Sequence, residues 1–183
     1  MYFLLPFFIL HRYPGDQYDR FWWQLGYSSP TWKNLSTVSA ITQDSIYTVP
    51  LTIIQTAVEA VGNNTMLNIT WQDQTPRGRG LKFFMYFADF QNSQLRQFNV
   101  SFNDVEPYQY SPPYLTTGVL YNSGWSIATD GNYNISLVPT AASKLPPMIN
   151  ALEIYTLISH DSPMTFPVDC KHSPLSSTPL YFL

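Results

Sequence analysis

Two segments of the chain combine aromatic rings with amide or carboxylate side chains, a combination suited to binding sugars. The segment "EPYQYSPPY" (106–114) carries three tyrosines on a stretch stiffened by prolines. The segment "NSGWSIATDGNY" (122–133) carries an asparagine, a tryptophan and an aspartate. Rings can pack on the C–H faces of a sugar while polar groups bond its hydroxyls, if loops at one end of a domain hold them together. The candidate carbohydrate contacts are Tyr108, Tyr110, Tyr114, Asn122, Trp125 and Asp130.

Burial in a core is the competing interpretation of every aromatic residue in this chain. Aromatic residues make up 16% of the sequence, and on strands such residues usually face the interior. We expect Trp71 and the phenylalanines within 83–90 to be core residues.

The carboxylates do not form a catalytic pattern. Asp104 and Glu106 lie two residues apart in a proline-containing stretch and indicate a solvated turn. Asp89 lies in the most apolar run and is expected at a sheet end with a hydrogen-bonded partner. The sequence contains neither a Gly-x-Ser-x-Gly motif nor a phosphate-binding loop, since "RGRG" (77–80) is not followed by Lys-Ser/Thr. These features predict a protein that is not an enzyme.

Charge and metal-ligand spacing exclude two further function classes. Nine basic and 12 acidic residues give a net charge of −3, which supplies no positive field for nucleic acid. Cys170 cannot form a disulfide within the chain, and His11, His160 and His172 show no metal-ligand spacing. We therefore expect no metal, no cofactor and no nucleic-acid partner.

Five Asn-x-Ser/Thr sequons favour passage through the secretory pathway. The N-terminal "MYFLLPFFIL" has the length of a signal-peptide apolar region but lacks a basic start and an Ala-x-Ala exit. The segment is too short to span a membrane as a helix. The alternative to a signal peptide is a buried strand, the last piece of a structural unit that lies upstream. The predicted N-glycosylation sites are Asn34, Asn63, Asn68, Asn99 and Asn134.

Short runs of β-branched and aromatic residues, separated by Gly, Pro, Asn and Asp, dominate the chain. The run 81–90 is apolar almost throughout and predicts a central strand covered on both faces. About seven to nine strands with turns every 8–12 residues predict an all-β fold, an antiparallel β-sandwich or jelly roll. The other predicted strands are 45–50, 51–58, 66–71, 98–102, 132–139 and 149–155, with 105–115 an irregular crossing and 121–131 a weak strand pair or loop.

Five blocks of sequence together resemble the malectin-like ectodomain of plant receptor-like kinases, and they occur in the order that this family uses. The blocks are "RYPGDQYDRFW" (12–22), "VPLTIIQTAV" (49–58), "FFMYFADFQ" (83–91), "RQFNVSFN" (96–103) and "YNISLVPTAASKLPPMINALEIY" (133–155). In that family two such β-sandwich modules occur in tandem, and the first block resembles the segment that joins them. The resemblance implies that this chain is the second module alone.

The resemblance also implies a domain organisation. Residues 1–11 are the apolar N-terminal segment, 12–157 the malectin-like β-sandwich, and 158–183 a proline-rich tail that we expect to be loose. In family members leucine-rich repeats, a transmembrane helix and a kinase follow the last strand. The tail shows none of their patterns, so we expect a truncated product.

Two binding functions follow from the resemblance, and a third outcome is loss of function. Animal malectin binds a glucose disaccharide on N-glycans, which implies an oligosaccharide or cell-wall glycan as partner. Receptor ectodomains equally imply a signalling peptide or a co-receptor, with an extracellular location and membrane association only through a parent receptor. A sugar site should be a small cleft with aromatics and acids, and a peptide site a larger patch near the module junction. The third possibility is an inactive fragment with apolar surface exposed.

Three consecutive aromatic residues, Phe21, Trp22 and Trp23, mark the predicted junction. They either form a patch that faced the missing module or, for one or two of them, cap the sandwich core. If Trp22 is a core residue, its replacement by alanine should destabilise the fold by about 3–5 kcal/mol.

Overall fold

The computed structural model describes residues 11–23, 30–72, 80–103 and 105–157. The predictions about the N-terminal apolar segment therefore fall largely outside these ranges. The same is true of those about the tail, Cys170, His160 and His172.

Strands form where β-branched or aromatic side chains alternate with polar ones, and every strand pair described is antiparallel. In chain order the elements are β1 (His11–Arg12), β2 (Phe21–Trp22), β3 (Trp32–Ser36), α1 (Leu51–Ile54), β4 (Thr56–Ala60), β5 (Leu67–Gln72), β6 (Leu81–Phe87), β7 (Phe98–Phe102), β8 (Tyr108–Tyr110), β9 (Gly118–Tyr121), β10 (Asn132–Pro139), β11 (Met148–Ile149) and β12 (Ala151–Thr156).

One layer of the sandwich is a four-stranded sheet in the order β5-β10-β7-β8. Ile135 of β10 lies opposite Ile69 on one side and Phe102 on the other. Because successive side chains of a strand point to opposite faces, this register places the apolar residues on the inner face and the amides and hydroxyls on the outer face. The predicted alternation of β5, β7 and β10 is confirmed.

The second layer consists of two three-stranded sheets, β11-β4-β3 and β12-β6-β9. The chain passes directly from β11 in the first sheet to β12 in the second, with Asn150 between them. The Asn150 side chain accepts from the Ala88 N–H at 2.7 Å and donates to the Ile54 and Thr56 carbonyls at 2.8 and 3.1 Å. Its own N–H donates to the Tyr86 carbonyl at 3.0 Å. One asparagine thus satisfies the backbone groups left where the chain passes from one sheet to the other.

The two layers enclose an apolar core in which phenylalanine and branched side chains interdigitate. Phe83 meets Phe102 across the layers with ring centroids 4.5 Å apart, and Phe87 meets Phe98 at 5.7 Å. The strand β6 contributes to the core and is covered on its outer face as well, as predicted for a central strand. The prediction of an all-β antiparallel sandwich is confirmed.

The outer face of the second layer carries a further apolar cluster centred on Trp22. The Trp22 side chain is only 3% exposed and packs with α1 and the 41–49 loop over Tyr86 and Ala151. Its indole Nε1 donates to Asp16 Oδ2 at 2.9 Å. Trp22 is therefore a core residue, as one of the two interpretations of the aromatic run predicted.

Beside Trp22 lies a buried ionic group that we call the Arg20 cluster, made of Asp16, Arg20 and Glu153. Arg20 bonds both carboxylates and also donates to the Thr48 carbonyl at 2.7 Å. Its guanidinium carbon lies 4.9 and 4.8 Å from the ring centroids of Tyr18 and Trp22. The cluster fastens segment 11–23 to β12, on which Glu153 lies.

A second buried group, the Arg96 cluster, joins Glu59, Asp89 and Arg96. Arg96 Nε donates to Asp89 Oδ2 at 2.9 Å, and Nη1 donates to Glu59 Oε1 at 2.6 Å. Lys33, which is largely exposed, reaches the other oxygen of Glu59 at 2.7 Å. Asp89 follows the end of β6, so the prediction of a sheet-end residue with a hydrogen-bonded partner is confirmed.

The prediction of strands over 45–50 and 51–58 is wrong in part. The Gln43 side chain bonds both the N–H and the carbonyl of Val49, at 3.0 and 2.9 Å, and so closes residues 43–49 into a loop. Proline at position 50 then starts the single turn α1 before β4 begins at Thr56. The Gln43 side chain thus makes the hydrogen bonds to Val49 that a neighbouring strand would otherwise make.

The predicted irregular crossing 105–115 contains a short strand, β8, at the edge of the four-stranded sheet. Phe98 lies opposite Tyr110 in this pairing and Val100 opposite Tyr108, so the segment is more regular than its prolines indicated. Within the described residues, no helix is long and apolar enough to cross a membrane, and no group of three or more His, Cys, Asp or Glu side chains could hold a metal.

Candidate ligand-binding site

The six predicted contact residues divide between opposite ends of β6. Segment 111–117 follows the carboxyl end of that strand, where Leu115 N–H donates to the Asp89 carbonyl at 2.9 Å. Segment 122–131 borders the amino end, where Ser126 and Leu81 exchange two backbone hydrogen bonds of 2.8 and 2.9 Å. Seven strand residues separate the two ends by roughly 20 Å. The sequence analysis assumed that both segments lie at one end of the sandwich. The structure instead places them at opposite ends.

The three tyrosines of the first segment differ in their surroundings. Tyr110 packs into the core, with its ring centroid 5.1 Å from that of Phe87, and burial raises its pKa to about 12. A Cβ at Gly118 would lie 1.9 Å from the Tyr110 hydroxyl, so this glycine makes room for the tyrosine. Tyr108 is 62% exposed on the edge strand, and Tyr114 is exposed beside Asp89. Ligand contact at these positions stays a prediction.

Asn122 holds the second segment together. Its Oδ1 accepts from the Phe83 N–H at 2.9 Å, and its Nδ2 donates to the Leu81 carbonyl at 2.9 Å and to Ser126 Oγ at 3.0 Å. Because these bonds occupy both ends of the amide, Asn122 positions the loop that carries Trp125 and Asp130. Trp125 remains 48% exposed, with its Cβ close to Gly80.

Asp130 lies in an open groove at this end of the four-stranded sheet, which we call the Asp130 groove. The groove has a volume of about 590 Å³, within the range of small-molecule sites. Its walls come from the ends of β5 and β10, from Asn103 after β7, and from the loop before β10. The described lining residues are Thr70, Trp71, Gln72, Asn103, Asp130, Asn132, Tyr133 and Asn134.

Asp130 provides an ionised acceptor in the groove. Asn132 donates to it twice, from its side-chain Nδ2 at 2.9 Å and from its backbone N–H at 3.0 Å. These hydrogen bonds stabilise the carboxylate and lower the pKa of Asp130. The group is exposed, so it can accept hydrogen bonds from a ligand as well.

Two aromatic residues that line the groove, Trp71 and Tyr133, form a stacked pair in which Tyr133 is only 2% exposed. Their ring centroids are 5.4 Å apart and their planes are 11° from parallel. The Tyr133 hydroxyl accepts from the Ala128 N–H at 3.2 Å, which ties the Asp130 loop to β10. Trp71 was expected to be core; it packs against Phe102 and is half-buried at the rim.

Asn103 fixes the distance between two walls of the groove. Its Oδ1 accepts from the Asn134 N–H at 2.7 Å, and its Nδ2 donates to the Asn132 carbonyl at 3.3 Å. Its φ of 46° lies in the left-handed region that asparagine tolerates better than most residues. Sequence reasoning missed Asn103, Asn132 and Thr70, although an asparagine directly after an alternating strand is a signal for such a turn.

The malectin-like domain model matches residues 5–157 of this chain. The chain belongs to the malectin-like domain family. Among curated relatives, it is 34% identical over 153 residues to a probable leucine-rich-repeat receptor-like serine/threonine-protein kinase of Arabidopsis thaliana. That alignment covers 80% of this chain and 17% of the kinase, so the domain spans about a sixth of the relative it matches.

Solved structures share the fold of this malectin-like domain. The extracellular domain of ANXUR1 from Arabidopsis thaliana superimposes with a TM-score of 0.61 at 14% identity, over 79% of this chain and 44% of that one. A β-glucuronidase of Bacteroides uniformis superimposes with a TM-score of 0.57 at 14% identity, over 80% of this chain and 17% of that one. At such identities the likeness concerns the fold alone.

A second concave surface of the malectin-like domain, which we call the joint cleft, lies where segment 11–23 meets the second layer. It has a volume of about 340 Å³. Tyr13, Trp22 and Trp23 line one side, and residues 34–36 of β3 and 56–58 of β4 line the other. The segment corresponds to the block predicted to join two modules, so this cleft lies at the predicted junction.

Sequence reasoning also missed an aromatic patch on the outer face of the second layer, formed by Tyr47, Phe84, Tyr121 and Tyr155. The rings of Tyr47 and Tyr121 stack with centroids 5.9 Å apart, and Tyr155 meets Phe84 edge-on at 5.8 Å. These residues are far apart in sequence. The pairing of β6 with β9 and β12 brings Phe84, Tyr121 and Tyr155 together, and the 43–49 loop adds Tyr47.

Proposed function

We propose that this malectin-like domain is a non-catalytic ligand-binding module and that it binds carbohydrate in the Asp130 groove. One observation carries the proposal: an ionised carboxylate and several amides converge on a single open groove, whose lining also includes Trp71. The full chain would act outside the cell or at its surface, since its relatives include receptor-like kinases.

Carbohydrate is the ligand class whose chemistry matches these groups. Sugar hydroxyls donate and accept hydrogen bonds, and Asp130, Asn132 and Gln72 offer both kinds of partner. Trp71, which is half-buried and also lines the groove, is the candidate for contact with sugar C–H groups. A hydrogen bond to an ionised group is stronger than one between neutral groups, so Asp130 should account for much of the affinity.

A binding role fits the groove better than glycoside hydrolysis. Glycosidases place two carboxyl groups roughly 5–9.5 Å apart across the sugar. Among the described lining residues, Asp130 is the carboxylate that faces the groove, without a second acid opposite it. The likeness to a β-glucuronidase is a likeness of fold and carries no activity to this chain.

Thermal melts of the full chain, made in a host that attaches no N-glycans, test the proposal against a panel of cell-wall and N-glycan oligosaccharides. A sugar at 100 times its dissociation constant stabilises the fold by about 2.7 kcal/mol, or roughly 5–10 °C for a domain of this size. We expect one sugar class to give such a shift and Asp130→Asn to weaken its binding about tenfold or more.

Asp44→Asn is the matched control. Both aspartates are exposed and both accept a backbone N–H two residues ahead, Asp44 from Ile46 at 2.7 Å and Asp130 from Asn132 at 3.0 Å. Asparagine can keep this turn at either position. An equal loss of binding in both variants, or none in Asp130→Asn, would contradict the groove as the site.

A second candidate function is binding of a peptide or co-receptor, and the joint cleft favours it. The strand β3 pairs with β4 alone among the described strands, so its free edge could extend by a strand from a partner. Selection of phage-displayed peptides on the full chain tests this, with Leu35→Asp on β3 as a counter-screen. Peptides that bind both forms equally, or no peptides at all, would reject the cleft.

A fragment without activity remains a third outcome of the same melts. The absence of a cooperative transition would mean that the module does not fold without further chain, and both binding proposals would then fail.

A further inference from the structure

The predicted glycosylation site at Asn134 and the Asp130 groove occupy the same place in the structure. Asn134 lies on β10 and lines the groove together with Asp130 and Asn132. It is also the acceptor of the sequon Asn134-Ile135-Ser136. Its Nδ2, the atom that carries an N-linked glycan, donates to Ser136 Oγ at 3.0 Å. Two separate predictions from the sequence therefore concern one surface.

The other sequons on this sheet lie outside the groove. Asn68 of β5 lies opposite Ser136 of β10, and Asn99 of β7 lies opposite Val138. Residues at these positions share the outer face with Asn134 because they keep the same alternation. Neither Asn68 nor Asn99 lines the groove, so a glycan at either position starts from the sheet beside it.

We infer that an N-glycan on Asn134 and a ligand in the Asp130 groove exclude each other, so that glycosylation at Asn134 closes the site. The ligand part of this inference rests on the proposed function. The modification forms a bond between Nδ2 and the anomeric carbon of an oligosaccharide. The anomeric C–O bond to a lipid diphosphate carrier breaks, the carrier leaves with that electron pair, and Nδ2 loses one proton.

The fold tolerates this modification. After the reaction Nδ2 keeps one hydrogen, which can still donate to Ser136 Oγ. The backbone bond from Asn134 N–H to Asn103 does not involve the side chain of Asn134 and remains in place. Glycosylation therefore changes what fills the groove and not how its walls are held.

Tethering makes the attached sugar a strong competitor. A group joined through a short link has an effective concentration of about millimolar at a nearby site. The first sugars of the glycan begin inside a groove of about 590 Å³, whose polar groups suit sugar hydroxyls. A free oligosaccharide would have to displace them or share a space of that size.

Access to the groove is measured with an introduced thiol. Gln72 is exposed, lies at the end of β5 and lines the groove, so Gln72→Cys in a Cys170→Ser background places one thiol there. Full chains from a secretory host are separated by glycosylation at Asn134, which mass spectrometry of glycopeptides identifies. The reaction rate with a small maleimide reports access.

Three sequon variants supply the comparison. Ser136→Ala abolishes the sequon and keeps Asn134, whereas Ser136→Thr keeps both the sequon and a hydroxyl. Asn68→Gln removes a glycan from the same face outside the groove. We expect labelling to be at least tenfold slower in the form glycosylated at Asn134, and in Ser136→Thr, than in Ser136→Ala. Asn68→Gln should leave the rate unchanged.

Two results of the labelling experiment would overturn the inference: an Asn134 that receives no glycan in the secretory host, or equal labelling with and without that glycan. The oligosaccharide panel is then applied to both glycoforms. If labelling is slowed but no sugar binds even to Ser136→Ala, the proposed carbohydrate function fails while the closure of the groove stands. If sugar binds Ser136→Ala and the Asn134 glycoform with equal affinity, mutual exclusion is wrong and the proposed function is retained.

Discussion

The two outer faces of the sandwich differ in charge and in how far other segments of the chain cover them. The outward positions of the four-stranded sheet carry amides, hydroxyls and one valine, with no charged residue among those described. They are Asn68, Thr70, Gln72, Asn99, Ser101, Gln109, Asn132, Asn134, Ser136 and Val138. The outer face of the second layer instead carries buried Glu59 and Glu153, each held by a buried arginine.

The difference separates a face that stabilises the fold from the face on which we propose binding. Segment 11–23 and the 41–54 region cover the part of the second layer around Tyr86 and Ala151, so buried charges there must be paired to offset their loss of hydration. Most polar side chains on the outer face of the four-stranded sheet are exposed or partly exposed, so they can exchange hydrogen bonds with a ligand or bear glycans. Substitutions should therefore affect stability on the covered face and binding on the open one.

Arg20→Ala should give the largest loss of stability, about 5 kcal/mol. Removing one partner of a buried ion pair costs about 3–5 kcal/mol, and here two carboxylates, Asp16 and Glu153, lose their partner. Urea unfolding of the full chain measures the change. The surface pair is the control: Arg12→Ala, whose partner Asp19 is exposed, should leave the free energy of unfolding nearly unchanged. Equal costs for the two arginines would contradict the distinction.

Trp22→Ala should cost about 3–5 kcal/mol because the side chain is buried and its indole N–H bonds Asp16. Trp125→Ala is the matched control on the open side, since that tryptophan is half exposed and should cost about 1 kcal/mol or less. The midpoints of thermal unfolding compare the two. A wild-type midpoint for Trp22→Ala would show that the covered face is not a core.

The two carboxylates of the Arg20 cluster should respond to pH with opposite signs. Burial alone would raise the pKa of Asp16, but hydrogen bonds from Arg20 and Trp22 outweigh it and lower that pKa below 3.8. Asp16 therefore contributes stability above about pH 3.8 that is lost as pH falls through its folded pKa. Burial raises the pKa of Glu153 above 4.5, so its contribution is complete below that value and is lost as pH rises through the folded pKa.

Asp16→Asn and Glu153→Gln test these signs in urea at pH 3, 5 and 7. We expect Asp16→Asn to be much less stable than the wild type at pH 7 and the gap to narrow as the pH falls below 3.8. Glu153→Gln resembles the protonated group, so relative to the wild type it should gain stability as pH rises above 4.5. Differences in unfolding free energy between variant and wild type that do not change with pH would contradict the pKa shifts of Asp16 and Glu153.

Local alternation explains how much of the fold could be predicted from the sequence. The inward faces of β5, β7 and β10 follow directly from side-chain period, and so does the double cover of β6. The loop 43–49 could not be predicted in this way. Its composition is typical of a strand, but the hydrogen bonds of the Gln43 side chain to Val49 hold it as a loop. The role of Asn150 depends on partners 62 and 96 residues away.

The candidate site was harder to predict because it depends on strand register. Asp130 and Tyr110 both lie in aromatic-rich segments, yet the pairing of β6 with β9 and of β7 with β8 places them at opposite ends. The same limit applies to Arg20 and Glu153, which are 133 residues apart and show no local signal for each other. Periodicity indicates which face a residue occupies, whereas register decides what it meets there.

The smallest effect should come from a charge placed on the open face. Ser101 lies on β7 between Ser136 of β10 and the edge strand β8, and its side chain points away from the core. Ser101→Lys should change the free energy of unfolding by no more than about 0.5 kcal/mol, because water still solvates the new charge and no buried group loses a partner. It also removes the sequon of Asn99, so Asn99→Gln is the control for loss of that glycan. A cost of about 2 kcal/mol or more for Ser101→Lys alone would mean that this face is covered in the folded protein, and the open groove beside it would then need another explanation.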